Sequence, residues 1–320
     1  MLLKRLPFLL CALLVGGPVA RAQKLVWKER APLPRPRSAF MAGAIGGKYV
    51  VAGGSYWVGK KKHWSSEVDV FNPADNKWTQ AASLPQPRSD AASVVYDGTL
   101  YVWGGVTGDQ VRRDALEFHH GKWSALPAAH LPAPRLYSAA VVCKGQVYLL
   151  GGMSRPGDYS TVTNTFWMWN PVTPHKGWQI LPPVPGPGLI NHAMAAFDGK
   201  IYVLGGATHG GKNVVNVKTA FEFNPKIRKW KRLGDLPIGR RCWWGMGLSN
   251  SILLFGGYTA TYERDVLSYH PPSSDLVNVG SMPQGVCDAK FVRIGDSIIG
   301  TGGEVGPGVR GKWTIQAHLP

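Results

Sequence analysis

The chain has 320 residues, and its 36 Lys and Arg against 19 Asp and Glu give a formal net charge of +17. An apolar fraction of 44% excludes a disordered chain, while 40 glycines and 25 prolines argue for many turns rather than long helices. The positive balance favours anionic partners over cationic ones.

In chain order, the first predicted element is a secretory signal at residues 1–22. Lys4 and Arg5 precede an apolar run at 6–15, then Gly16-Gly17-Pro18 and an Ala20-Arg21-Ala22 cleavage site. The run is shorter than the roughly 20 residues of a membrane span. The expected destination is therefore periplasmic or secreted, with no membrane span after cleavage. Export argues against nucleic acid as the anionic partner. Removing Lys4, Arg5 and Arg21 leaves 17 − 3 = +14.

Residues 23–320 then read as one domain of repeats. Six Gly-Gly doublets start at Gly53, Gly104, Gly151, Gly205, Gly256 and Gly302, spaced by 51, 47, 54, 51 and 46 residues. Each repeat opens on a Pro-rich turn, as in Leu33-Pro-Arg-Pro-Arg37, Leu84-Pro-Gln-Pro-Arg88 and Leu131-Pro-Ala-Pro-Arg135. An inner strand of small residues follows, then a second strand ending in Gly-Gly, a variable loop, a third strand and a fourth. Trp78, Trp123, Trp178 and Trp230 open the fourth strands. Blade five has Leu276 at that place. The last repeat lacks a fourth strand, and residues 25–30, with Trp27, are predicted to supply it.

A period near 50 residues with this content predicts an all-β, six-bladed kelch-type propeller. The N-terminal strand joins the C-terminal blade and protects the open edges. The turns entering the inner strands and the loops leaving the doublets share one face. Arg37, Arg88, Arg135 and Arg240 (or Arg241) are therefore predicted to ring the channel mouth, where guanidiniums suit a substrate carboxylate. Asn191 with His192, and Asp288, are expected at the corresponding places in blades four and six. The loops offer Tyr56, Trp57, Arg155, Tyr159, His209, Tyr258, Tyr262 and Glu304 to the same opening. Lys60 to Lys62 and residues 226–232 read as solvated turns.

Cys143, Cys242 and Cys287 lie in different repeats without C-x-x-C spacing, so neither a disulfide framework nor a structural zinc site is expected, although one pair is compatible with the spacing. No metal or other cofactor is expected.

Glu304 is the sharpest candidate. A carboxylate among cations stays ionised and can act as a base. Pro307-Gly308 makes a tight turn able to bring Arg310 back toward it. The stretch Gly303-Glu304-Val-Gly-Pro307-Gly308-Val-Arg310 resembles the Gly-Glu-x-x-Pro-Gly-x-Arg pattern of the bacterial sialic acid mutarotases, or N-acetylneuraminate epimerases. Those are secreted six-bladed kelch propellers with the motif mid-chain, so the resemblance implies a permuted blade order here. It implies Glu304 as the catalytic carboxylate and Arg310 as its partner. The implied reaction interconverts the α and β anomers of N-acetylneuraminate or a related acidic sugar, an isomerase activity without a cofactor. The other reading is a non-catalytic kelch propeller that binds a partner protein or an anionic glycan. A copper-radical oxidase is disfavoured because no Tyr-Cys and His constellation stands out, His119-His120 included.

Overall fold

The computed structural model describes residues 24–319. The expected signal at 1–22 lies outside them. Six four-stranded antiparallel sheets are arranged as blades. Blade one comprises Met41–Ile45, Lys48–Ala52, Val68–Asn72 and Lys77–Gln80. Blades two to five repeat this plan, each taking its four strands consecutively from inner to outer apart from short hairpins. Blade six takes Lys290–Ile294, Ser297–Thr301 and Thr314–His318 from the end of the chain and Lys28–Glu29 from its start. Lys28 faces Gln316 and Glu29 faces Ile315, so the ring closes as expected.

The doublets stitch blade to blade. In each, the second glycine donates its N–H to the next blade's entry turn: Gly54 to Arg88, Gly105 to Arg135, Gly152 to Leu189, Gly206 to Arg240, Gly257 to Val286 and Gly303 to Arg37, at 2.7 to 2.9 Å. Gly303 shows why a side chain is excluded. Its φ is +85°, and a Cβ there would lie 2.7 Å from the Cys287 carbonyl oxygen.

A second ring lies nearer the axis. Ala39, Asp90, Tyr137, Asn191, Cys242 and Asp288, one per blade, have φ between 53° and 59°. Each donates its N–H to the carbonyl of the preceding one, and Ala39 donates to Asp288, so the circle closes. For residues with a Cβ the left-handed region costs about 1–2 kcal/mol each. The closed ring of hydrogen bonds offsets that cost.

Between blades the core is apolar and aromatic. The expected tryptophans also tie in the linkers. The Nε1 atoms of Trp78, Trp123, Trp178 and Trp230 donate to the carbonyls of Ala31, Ala82, Ala129 and Pro182 at 2.8 to 2.9 Å. Leu276 opens the fourth strand of blade five and has no such donor. No helix among the described residues is long and apolar enough to cross a membrane.

Candidate functional site

The residue after each doublet pairs with the residue just before the left-handed one: Ser55 with Ser38, Val106 with Ser89, Met153 with Leu136, Ala207 with Ile190, Tyr258 with Arg241, and Glu304 with Cys287. Six equivalent positions therefore recur around one end of the ring. Only the last carries a carboxylate.

Glu304 begins the short strand Glu304–Gly306, which pairs with Val309–Arg310. The intervening turn, with Gly308 at φ +72°, sets Glu304 opposite Arg310. The expected return of Arg310 is thus a feature of the hairpin. Arg310 Nη1 donates to Glu304 Oε2. Tyr262, from the loop of blade five, donates its hydroxyl to Oε1 at 2.9 Å. Burial, then the neighbouring Glu304 charge, raises the Tyr262 pKa, so the phenol stays a donor. Each carboxylate oxygen accepts one bond and retains a second lone pair. The Glu304 side chain keeps 22% exposure and Arg310 keeps 8%. Tyr262 packs edge-on against Tyr258, with ring centroids 5.3 Å apart. Arg241 stacks over Tyr258 at 4.4 Å and donates to Asn216 Oδ1 at 2.6 Å. Arg241, Tyr258, Tyr262, Glu304 and Arg310 therefore form one continuous chain of contacts. Tyr262 was visible in the sequence only as one of several loop aromatics; the residue across from it depends on the neighbouring blade.

The other four arginines are placed differently. Arg37, Arg88, Arg135 and Arg240 are buried. Arg37 donates to the Glu67 carbonyl at 3.0 Å and to the Asp69 carboxylate. Arg88 donates to the Gly104 carbonyl and to Asp114, and Arg240 to the Gly256 carbonyl and Asp265. Arg135 donates to Pro134 O and Thr165 Oγ1 and stacks over Trp167 at 4.8 Å. Burial lowers the pKa values of Arg37, Arg88 and Arg135, against their neighbours' charges where these exist. The expectation of a guanidinium ring at the mouth is corrected: these side chains are buried within the fold, and those of Arg37, Arg88 and Arg240 tie a doublet carbonyl to an aspartate at or beside the third strand. The matching residues in blades four and six are Leu189 and Val286, whose carbonyls accept from Gly152 and Gly257. Asn191 and Asp288 belong two residues later, in the inner ring.

The axis holds a cavity of about 70 Å³, lined by residues of all six blades. Asp90, Asp288 and Lys290 reach it. Burial, reinforced by Asp90, pushes Asp288 up to about 6, and burial lowers Lys290. A nine-carbon sugar needs more room, since ligand pockets run about 300–1,000 Å³. A cavity of about 490 Å³ flanks the motif hairpin and is bordered by Val305, Arg310, Lys312 and Trp313, with Pro283 and Arg30 opposite. Arg155 forms an exposed pair with Asp158, and His209 sits in the blade-four hairpin Ala207–Gly210/Asn213–Asn216.

The family comparisons agree with this architecture. A profile described as the KLHDC2/KLHL20/DRC7 Kelch-repeats domain matches residues 20–152, and the Kelch motif matches 134–184 and 189–237. The chain is 26% identical over 301 residues to Kelch-like protein 25 of Xenopus tropicalis, covering 88% of this chain and 48% of that one. It is 27% identical over 306 residues to Kelch-like protein terF of Aspergillus terreus, covering 92% and 55%. The chain thus spans about half the length of these curated relatives. The solved structure of YjhT superposes with a TM-score of 0.73 at 19% identity, covering 90% of this chain and 96% of that one, a likeness of fold.

Proposed function

Starting from a kelch-repeat propeller with a single carboxylate among its six doublet-following positions, we propose that this protein is an exported mutarotase. Its substrate is N-acetylneuraminate or a related acidic sugar, and its reaction interconverts the α and β anomers. The observation that carries the reading is the Glu304 carboxylate. It is held on one oxygen by Tyr262 and on the other by Arg310, with lone pairs left for a sugar hydroxyl.

The chemistry needs one proton moved twice. As the bond between the anomeric carbon and the ring oxygen breaks, Glu304 takes the anomeric hydroxyl proton and passes it to the ring oxygen, giving the open keto form; after the C–C bond next to the carbonyl has rotated, the reverse transfer closes the ring on the other face. A positioned acid–base group contributes about 10²–10⁴-fold. Tyr262 fixes the carboxylate's orientation. Arg310, paired with it and bordering the 490 Å³ cavity, supplies positive charge toward the substrate's carboxylate.

Proton NMR of freshly released α-N-acetylneuraminate tests this. Anomer equilibration is compared without protein, with the native protein and with Glu304→Gln. Acceleration by the native protein that is lost in a folded Glu304→Gln supports the reading. A native rate equal to that of buffer ends it.

A second reading is favoured by the small axial cavity, about 70 Å³, which leaves the mouth without a deep sugar pocket on the axis. In it the propeller is a non-catalytic module that holds a partner protein or anionic glycan across the mouth. Binding without any change of the anomerisation rate would select it.

A further inference from the structure

Two of the three free cysteines among the described residues meet near the axis. Cys242 lies in blade five's entry turn and Cys287 in that of blade six, 45 positions apart in the chain. A Cys242 sulfur, a Cys287 sulfur and an Asp288 carboxylate oxygen all lie within 4.8 Å of one another. We infer that Cys242, Cys287 and Asp288 form a binding site for a zinc-class divalent cation, with its remaining coordination position open to the axial cavity.

The ligand set fits that ion. Zinc takes thiolates at about 2.3 Å and carboxylate oxygens at about 2.0–2.2 Å, and two sulfurs on a tetrahedral ion lie about 3.8 Å apart. Three protein ligands with an open fourth position is the arrangement of a reactive rather than a purely structural site. Two thiolates select against magnesium and calcium, which take oxygen donors.

The backbone holds these donors in place without a metal. Cys242 and Asp288 both have left-handed backbone conformations, at φ 57° and 53°. The Asp288 N–H donates to the Cys242 carbonyl at 3.0 Å. Cys287 is fixed by two backbone bonds with Glu304, at 2.9 and 2.7 Å. Cys242 and Asp288 line the axial cavity, which gives an ion its route in. Lys290, beside the cavity, offsets the excess negative charge that two thiolates and a carboxylate leave around a divalent ion. Binding releases both thiol protons to solvent, together with the Asp288 proton where that group is protonated.

A disulfide is the competing fate of the two sulfurs. The Asp288 carboxylate, a third donor within 4.8 Å of both sulfurs, has a place in a cation site and none in a disulfide.

The test is titration of the full-length, chelator-stripped and reduced protein with cobalt(II) under anaerobic conditions. The expected result is a thiolate-to-cobalt charge-transfer absorption that saturates at one cobalt per chain and is displaced by zinc. It should be lost in Cys242→Ser and in Cys287→Ser, and kept in Cys143→Ser, whose cysteine is buried in another blade. Asp288→Asn retains both thiols and should bind cobalt more weakly, which keeps the test valid if a cysteine variant folds poorly. Absence of the band in the native protein, or its persistence in Cys242→Ser, overturns the site. A denatured, unreduced sample in which Cys143 reacts with a thiol reagent while Cys242 and Cys287 do not shows a disulfide instead, and overturns it equally.

Discussion

Arg37 with Asp69, and Arg310 with Glu304, are the same chemical pair in two settings. The first is sealed, with side chains 0% and 2% exposed; the second keeps 8% and 22%. In the first, every donor direction in use ends on the protein's own oxygens, so the pair holds blade one together and can receive nothing. In the second, a short hairpin lifts the pair to the opening, Tyr262 adds a third member, and the carboxylate has capacity to spare. Burial, not residue type, separates a structural ion pair from a candidate catalytic one.

The largest expected effect lies at the open pair. Glu304→Gln should lower the acceleration of anomerisation by about 10²–10⁴-fold, with the melting temperature nearly unchanged; NMR and calorimetry read the two quantities separately. A matching loss of stability would make this pair structural too.

The sealed pair should show the reverse. Asp69→Ala leaves a buried guanidinium without its carboxylate and should cost about 3–5 kcal/mol in urea unfolding. Replacing both partners together, Arg37→Met with Asp69→Leu, should cost far less, because no charge is then left unpaired in the interior. The corresponding double replacement at Arg310 and Glu304 should spare stability and still abolish activity.

A smaller effect tests a polar group that has no partner. His192 is buried, neither ring nitrogen has a hydrogen-bond partner, and burial lowers its pKa from 6.5 to about 3. It packs on Gly206 much as Trp243 packs on Gly257. The unfolded chain binds a proton below pH 6.5 that the folded protein refuses until about pH 3. Its contribution is therefore complete above pH 6.5 and is lost as pH falls toward 3, at up to about 1.4 kcal/mol per pH unit. His192→Phe should flatten that part of the stability–pH curve, and an unchanged curve would show that the imidazole is hydrated.

The smallest effect concerns orientation. Tyr262→Phe removes one neutral donor to a carboxylate, worth about 1.5–3 kcal/mol where it is fully formed. It should lower kcat by roughly tenfold while leaving Glu304 able to exchange protons. A loss as large as that of Glu304→Gln would make the phenol itself the proton carrier.

Much of this architecture can be read from the chain alone. The spacing of the glycine doublets determined six blades, because each doublet marks where a second strand must pass close to the next blade's entry turn. The tryptophan pattern located the fourth strands, and Trp27 before Pro32 marked the strand that closes the ring. Pro307-Gly308 announced the turn that returns Arg310 to Glu304, since a turn over so few residues is a local event. What only the tertiary structure decided is which side chains end up sealed and which stay open. Arg37, Arg88, Arg135 and Arg240 recur at the start of inner strands, and nothing local reveals that Asp69, Asp114 and Asp265 wait for three of them inside the blade. The contact of Tyr262 with Glu304, and of Cys242 with Cys287 and Asp288, joins neighbouring blades across some 40 residues of chain. Strand spacing is a property of one repeat, whereas those meetings depend on how the repeats turn about their common axis.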